Sequence, residues 1–450
     1  MELGAHSSMR TVILEGGNIL RSNSLLPVKS SPLIVRSVFA LALLTILALC
    51  KPVFSSAASL TGDSSTYIQS REQADGSKVL GGYEYLDFAV QDIGSETVSF
   101  HTGGWLRQDF ETAEFGKESN SDLQYSYLSF KSKIDNTVVN LGRVMVFEGV
   151  AAERVDGLYA RTDLNGGFGI SAFGGSPVET EINTPGNNLI YGGRLSHQMG
   201  DIYKIGISAL EEDKDSLAYR KEEGIDLWLH PLTNVDITGR SSYNDITKGW
   251  MENTYVLMLG PFAKLRLDTT ASWITYDNYF FRTTTSAFSL QNGLITPGEK
   301  VRMLGETASY PITDNVQITA DYKNFDYVIA GNANYYGATI KYTVPESGSA
   351  GFGYHNMDGD TDTLKYNEYR VYGSKKIGKF GLTADVLDVV YASPVNGVKN
   401  SYSGSLAAMY DLSEAWKLGA DVDYYHDPEF NHDVRAFVKL LYHFGAKGGA

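Results

Sequence analysis

The chain has 450 residues, of which 43% are hydrophobic, 20% charged and 12% aromatic, and its net charge is −15. This charge argues against a nucleic-acid partner, because phosphate binding needs basic patches. No run of 18 apolar residues follows the leader, which argues against membrane-spanning helices. The single Cys50 lies in the leader, so the remainder has neither a disulfide nor a Cys-x-x-Cys-His haem attachment site.

The first predicted element is a secretory leader. Lys29 and Arg36 precede an apolar run of about 14 residues, 37–50, and small residues follow at 55–58. Basic residues, a short apolar core and small residues before the cleavage point are typical of a signal peptide, and a retained signal anchor is the alternative. We expect residues 1–57 to be a signal peptide with an extended n-region and residues 58–450 to form a single domain.

Alternation with a period of two runs through the remainder of the chain. Within residues 434–444, one set of alternate positions is wholly apolar, whereas the other holds Arg435, Lys439 and His443. Successive side chains of a strand point to opposite faces, so this segment is predicted to be a strand with one apolar face and one charged face. Eleven residues are also enough for a tilted strand to cross a bilayer.

About 20 such strands can be counted after residue 96, and two more segments, 66–72 and 83–91, precede them. Closed bacterial barrels have an even number of strands, so these two segments are either both strands or neither is. The predicted fold is all-β: a transmembrane, antiparallel, up-and-down β-barrel of about 20–22 strands, closed by residues 434–444.

The connections between the predicted strands alternate between short turns and longer polar segments. Short ones, such as 311–315 and 376–379, hold Pro, Gly, Asn and Asp, and the longest segment is 277–300. Outer-membrane barrels have short periplasmic turns and long external loops. This pattern predicts an integral outer-membrane protein with both mature termini in the periplasm.

The two faces of such a barrel have different surroundings. The apolar face meets lipid and the charged face lines a lumen that, at this strand number, side chains are too short to fill. The predicted lumen-lining residues are Asp236, Arg240, Lys264, Arg266, Asp268, Asp321, Lys323, Asp385, Lys417, Asp421, Asp423, Arg435 and Lys439. Their charges either neutralise one another across strands or form a transverse field that selects solutes, and the sequence leaves both interpretations open.

The last strand ends in two aromatic residues on its apolar face, Tyr442 and Phe444. Aromatic residues form girdles where a barrel meets the membrane interface. We therefore expect Tyr442 and Phe444 to anchor the strand end and to carry the signal for barrel assembly.

Catalytic and metal-binding motifs are weak. Asp358, Asp360 and Asp362 resemble the start of a calcium loop, but Thr363 stands where Gly is needed and Tyr369 where Glu is needed. The histidines have no metal-ligand spacing, and nucleophile-elbow and phosphate-loop motifs are absent from the sequence. We expect no enzyme activity, no cofactor and no metal, with a barrel lipase that uses a Ser–His pair as the alternative.

Three short motifs carry a family resemblance. Leu141-Gly142-Arg143 is followed by a loop and then by Val-Asp-Gly-Leu at 155–158, which resembles a recurring unit of bacterial porins. Gly-Gly-Trp-Leu-Arg at 103–107 and the terminal Tyr-x-Phe are similar to porin patterns too. The resemblance implies a Gram-negative outer-membrane porin, a channel for passive passage of small hydrophilic solutes or ions. It also implies surrounding lipid and lipopolysaccharide, and insertion by the barrel-assembly machinery.

The chain also resembles, in general style, the porin-like barrels that sheath multihaem cytochromes in metal-reducing bacteria. That resemblance implies a different role, a structural barrel around a periplasmic multihaem cytochrome in a trans-outer-membrane electron conduit. The residues of this chain do not decide between the two roles.

Overall fold

The computed structural model describes residues 58–72, 77–111, 118–178, 188–214, 217–279, 298–428 and 432–447. Within these ranges the chain forms 22 strands in one antiparallel sheet. The strands are β1 Ser59–Glu72, β2 Lys78–Gln91, β3 Val98–Asp109, β4 Ser119–Lys131, β5 Val138–Glu148, β6 Ala151–Asp163, β7 Phe168–Pro177, β8 Leu189–Met199, β9 Tyr203–Lys214, β10 Leu217–Leu232, β11 Val235–Asn244, β12 Gly249–Phe262, β13 Leu265–Thr275, β14 Lys300–Pro311, β15 Val316–Tyr327, β16 Gly331–Val344, β17 Gly348–Gly359, β18 Tyr366–Ile377, β19 Phe380–Val395, β20 Val398–Asp411, β21 Trp416–His426 and β22 Asp433–Lys447.

Helical structure in the described ranges is limited to α1 (Tyr276–Tyr279) and a 3-10 turn, Asp362–Leu364. Among the described residues, no helix is long enough and apolar enough to cross a bilayer.

The sheet closes on itself to make the barrel. Each strand pairs with its neighbours in sequence, and β1 pairs with both β2 and β22. Ser59 lies opposite Gln91 on one side and opposite Lys447 on the other. The predicted all-β barrel is therefore confirmed at 22 strands, with β22 as the closing strand. Pairing continues past Phe444, because Gly445 lies opposite Thr61.

Directly opposed residues share a face of the sheet, so the register separates the two surfaces of the barrel. On β21 and β22, Leu418 lies opposite Leu440 and Val422 opposite Ala436. Leu418 is 42% exposed and Val438 is 53% exposed. Large Leu, Ile, Val and Phe side chains are exposed in the same way around the barrel. An apolar outer surface of this extent fits hydrocarbon rather than water, as the transmembrane fold requires.

The two ends of the barrel differ in their connections. At the end that holds Ser59 and Lys447, consecutive strands are joined by two to six residues. At the opposite end the connections include the longest one, between Thr275 and Lys300, but also two-residue turns between β5 and β6 and between β19 and β20. These two ends are called the short-turn end and the long-connection end below.

The expectation that every connection at the long-connection end is a long loop is wrong. Residues of the longer polar segments continue the strand pairing, for example Asp326 opposite Asn332 and Glu212 opposite Arg220. A ladder needs paired backbone groups, not an apolar face. Outside the lipid both faces meet water, so the apolar periodicity stops while the ladder continues.

The assignment of faces is testable at Ala420, an exposed outer-face residue opposite Ala408 and Val438. Ala420→Arg puts a charge against hydrocarbon and should lower the free energy of unfolding by about 2–4 kcal/mol if it lies near the midplane. Denaturant titration of the refolded barrel, followed by heat-modifiable gel mobility, measures the change.

The matched control is Ser405→Arg on the inner face, where register places Asp385 and Asp423 on either side. This arginine meets carboxylates and water, so the variant should fold with little change in stability. Equal destabilisation by the two variants would contradict the assignment of faces.

Candidate functional site

The hairpin of β5 and β6 leaves the barrel wall partway along its length. β4 pairs with β5 only from Lys131 to Ser126, and Ser126 lies opposite Arg143. Beyond that point the hairpin continues to its turn at Gly149 without β4 beside it. The segment from Val144 to Val155 is called the inner hairpin below, because its contacts place it inside the barrel.

Two glycines permit this departure. Gly142 has a φ of +132°, and a Cβ there would overlap the carbonyl oxygen of Ser126. A Cβ on Gly157 would overlap the carbonyl oxygen of Gly174 on β7. A side chain at either position would strain the backbone or push the strands apart. These are the glycines of the Leu-Gly-Arg and Asp-Gly-Leu motifs.

The inner hairpin packs on the inner face of the wall. Val146 and Val155 are fully buried against Phe173, Ile190 and Leu210, which lie on β7, β8 and β9. Tyr191, the neighbour of Ile190, is 41% exposed, which fixes the buried side as the inner one. Each large apolar side chain buried in this way contributes about 1.5–3 kcal/mol relative to exposure.

Polar contacts fix the tip of the inner hairpin. Glu148 is buried and accepts a hydrogen bond of 2.6 Å from the hydroxyl of Tyr159, while Nη1 of Arg194 on β8 lies 4.0 Å from Glu148 Oε2. The backbone N–H of Val150 donates to Ser208 Oγ at 3.1 Å. A buried carboxylate is stable only when it is paired and hydrogen-bonded. The contacts with Arg194 and Ser208 can form only while the hairpin lies inside the barrel, against β8 and β9.

A second ionic group lies beside the tip, on β10. Arg220 pairs with Glu153 of the inner hairpin and with Glu222 of its own strand. On the same wall Arg194 forms a bidentate ion pair with Asp226. Arg–carboxylate pairs of this geometry are strong and directional, so the inner hairpin has one defined orientation against the wall.

The root of the inner hairpin is fastened to β4. Arg143 binds both carboxylate oxygens of Asp156 at 2.7 Å and donates to the carbonyl oxygen of Leu123 at 3.0 Å. Arg154 binds Asp122 at 2.5 Å. The hairpin is thus held at its root by β4 and at its tip by β8, β9 and β10, and between these anchors it crosses a sector of the lumen.

The other face of the inner hairpin carries Met145 and Phe147, which are 44% and 70% exposed. A cavity of about 290 Å³ lies beside the tip, between Gly149, Arg220, Arg240 and Glu252. Arg240 pairs with Glu252 at 2.5 Å across its rim. A solute in the lumen would therefore pass an apolar edge on one side and a wall of paired charges on the other.

Twelve of the thirteen residues that the sequence predicts as lumen-lining lie on the inner face by register; the thirteenth, Lys264, lies in the turn between β12 and β13. Many have a partner of opposite charge: Arg266 with Asp268 at 3.1 Å, Lys439 with Asp421 at 2.6 Å and Arg435 with Asp433 at 2.6 Å. Asp236 is hydrogen-bonded to His230 at 2.8 Å. This pairing favours neutralisation across the wall. Their part in solute passage stays a prediction.

The two terminal aromatics lie where the sequence predicts. Tyr442 stacks on Trp416 with ring centroids 4.1 Å apart, and Phe444 lies opposite Gly62 of β1. Their role as an assembly signal stays a prediction.

The anchors of the inner hairpin, chiefly Arg143, Glu148, Arg194 and Arg220, are not predicted from the sequence. A signal for the hairpin was present, because residues 144–147 read Val-Met-Val-Phe and are apolar on both faces. A wall strand of a wet barrel has only one apolar face. A doubly apolar stretch beside two glycines therefore indicates a segment that packs inside.

No protein-family model matches the chain, and neither does any curated protein sequence. Among solved structures, it is similar to a mutant ferric enterobactin receptor, PfeA, from Pseudomonas aeruginosa, at 11% identity and a TM-score of 0.54, over 86% of this chain and 80% of that one. It is also similar to Acinetobacter baumannii OccAB4 and OccAB2, at 9% and 11% identity, over 88% of this chain and 100% of theirs, with TM-scores of 0.45. The likeness to the receptor shows the β-barrel fold that the family resemblance implies, and no more than the fold.

The position of the inner hairpin can be tested by a disulfide between the hairpin and the wall. A Cβ on Gly224 would overlap Cγ1 of Val150, so Val150→Cys with Gly224→Cys should bring two thiols within reach of each other. The described residues contain no cysteine, which removes background pairing. Gel mobility with and without reductant should show near-complete crosslinking.

The control pair is Val150→Cys with Ser349→Cys, which puts the second thiol on the inner face of β17 instead. It should remain reduced under the same oxidant. Crosslinking in the control, or none in the first pair, would contradict the inward position of the hairpin.

Proposed function

We propose that this protein is an outer-membrane channel for passive passage of small hydrophilic solutes or ions. The observation that carries the proposal is the inner hairpin, which lies against the inner wall, takes up part of the lumen and is fixed there by an apolar seal and ion pairs. In a channel, the size limit is set by the narrowest cross-section and the charge preference by the side chains that line it. Here the hairpin and the wall of β8–β12 supply both.

The paired charges of the wall affect which solutes such a channel would select. The pairs Arg194–Asp226, Arg240–Glu252 and Arg266–Asp268 keep both signs on the wall and leave little net charge at any one of them. A neutral hydrophilic solute would find hydrogen-bond donors and acceptors at each step, and an ion would find a counter-charge. We therefore propose discrimination by size at the inner hairpin, and weak discrimination by charge along this part of the wall.

The proposal includes a location and an orientation. The lipid-compatible outer face supports a bilayer-embedded barrel, and the signal-like leader at residues 1–57, outside the described residues, supports export before assembly. The short-turn end would face the periplasm with both mature termini, and the connection between Thr275 and Lys300 would face outward. Lipid, lipopolysaccharide and the barrel-assembly machinery are the partners that this location implies.

The alternative, a sheath around a periplasmic multihaem cytochrome, would use the lumen differently. A folded partner in the lumen would compete with the inner hairpin for space, and widening the lumen for it would displace the hairpin from its apolar seal. That displacement would expose Val144, Val146 and Val155 at a cost of about 1.5–3 kcal/mol each. The seal therefore favours the channel.

The channel can be tested by loosening the inner hairpin. Val146→Asp together with Val155→Asp places two carboxylates in the apolar seal, where they have no partners, and should release the hairpin from the wall. Single-channel conductance in planar bilayers should rise, because the cross-section widens, while the 22-strand wall keeps its heat-modifiable gel mobility.

Val256→Asp makes the same chemical change on the inner face of β12, away from the seal, and should leave conductance near that of the unmodified protein. A barrel that conducts no ions alone, and that co-purifies with haem, would contradict the channel and support the sheath.

The orientation has its own test. An epitope tag inserted at Gln291, within the long connection, should be labelled by antibody on intact cells, because that connection is proposed to face outward. A second tag in the short turn between Ile377 and Phe380 should be labelled only after the outer membrane is breached. The reverse pattern would invert the proposed topology.

A further inference from the structure

A second cavity lies on the inner wall at the short-turn end, far along the barrel from the tip of the inner hairpin. Its volume is about 580 Å³, and it lies where β16–β22 meet their short turns. Five lysines line it, Lys341, Lys375, Lys376, Lys379 and Lys439. Five lysines around one cavity stand out in a chain whose net charge is −15. This cavity is called the lysine basin below.

Many of the predicted lumen-lining charges are paired, whereas three lysines of the lysine basin have no ion pair among the described residues. Lys439 binds Asp421 at 2.6 Å. Within the ranges that the structure describes, Lys341, Lys376 and Lys379 have no carboxylate within 4.0 Å, and all three are exposed. Counting all lining residues, five lysines face three carboxylates. The basin therefore keeps a net positive charge.

Hydroxyl groups complete the lining. Ser349 and Ser374 lie opposite each other with their Oγ atoms 3.2 Å apart, and Thr343 and Thr383 line the same cavity. Ammonium groups and hydroxyls are the donors that bind phosphate or carboxylate oxygens, the lysine acting as a point charge and the hydroxyl as an orienting group. The two kinds of donor share one concave wall here.

We propose that the lysine basin is a binding site for a small polyanion that carries phosphate or carboxylate oxygens. This inference rests on the proposed channel, because it names a class of solute that would gather at one mouth of the lumen. A cluster of like charges in a low-dielectric wall raises the local concentration of counter-ions and speeds their arrival. The occupant is a small solute because Lys341 and Lys439 lie on the inner wall, below the turns that a folded protein could touch.

The test measures binding directly, with inorganic pyrophosphate as the probe. Isothermal titration calorimetry on the folded, detergent-solubilised barrel should show saturable binding that weakens as salt is raised, because exposed charges are screened. The triple variant Lys341→Gln, Lys376→Gln, Lys379→Gln should weaken the affinity by roughly tenfold or more, on the scale of three charge-assisted contacts.

The matched control removes the same charge from the same end of the barrel. The control variant combines Lys131→Gln, Lys133→Gln and Lys204→Gln. These residues lie between β4 and β9 at the short-turn end, outside the basin. This variant should bind pyrophosphate as the unmodified protein does. If the basin variant bound pyrophosphate as tightly as the unmodified protein, the proposed site would be refuted. If the control lost as much affinity as the basin variant, the site would also be refuted, and the loss would reflect a general effect of net charge.

A second probe, citrate, identifies the oxygen chemistry. Binding of both probes through the basin supports a general polyanion site, and binding of pyrophosphate alone narrows the site to phosphate. Neither result depends on conductance. A barrel that binds pyrophosphate in the basin but carries no ions would refute the channel and keep the site, whereas a conducting barrel that binds neither probe would refute the site and keep the channel.

Discussion

The structure depends on one constraint: in hydrocarbon every backbone N–H and C=O must have a partner within the protein. Each unsatisfied group costs several kcal/mol there, so a sheet that crosses a bilayer can leave no edge open. The pairing of β1 with both β2 and β22 meets that requirement over the whole length of the first strand. The apolar outer face, the even strand number and the terminal position of β22 all follow from closure.

The inner hairpin is an exception to this constraint, and the structure compensates for it locally. Where β5 leaves the wall, the upper part of β4 loses its neighbour on that side. The guanidinium of Arg143 takes the place of a strand at this point, because it donates to the carbonyl oxygen of Leu123 while it holds Asp156. Asp122 on the same strand is engaged by Arg154 of the hairpin. The residues that hold the hairpin inside thus also satisfy part of the edge that it exposes.

The fold was predictable because its signals are periodic and local. Alternation on β21 and β22 separates Leu418 and Val422 from Asp421 and Asp423, and the structure keeps that separation. The extent of the strands was less predictable: Asp326 and Glu212 are paired although their surroundings read as polar loop. Apolar periodicity ends where the lipid ends, and hydrogen-bonded pairing does not.

The inner hairpin could be predicted only in part, because it depends on contacts between strands that are distant in sequence. Gly142 and Gly157 mark its root in the sequence, yet nothing in the sequence pairs Glu148 with Arg194, or Glu153 with Arg220. The same limit applies to the lysine basin, where Lys341 on β16 and Lys439 on β22 line one cavity although they are distant in sequence. The net charge of the chain gave no indication of this basin.

At a channel mouth, a solute is affected by the charges within a Debye length, roughly 8–10 Å, and not by the net charge of the whole chain. The balanced wall beside the hairpin and the positive basin at the short-turn end can therefore act independently, one on the size of a solute and the other on its charge.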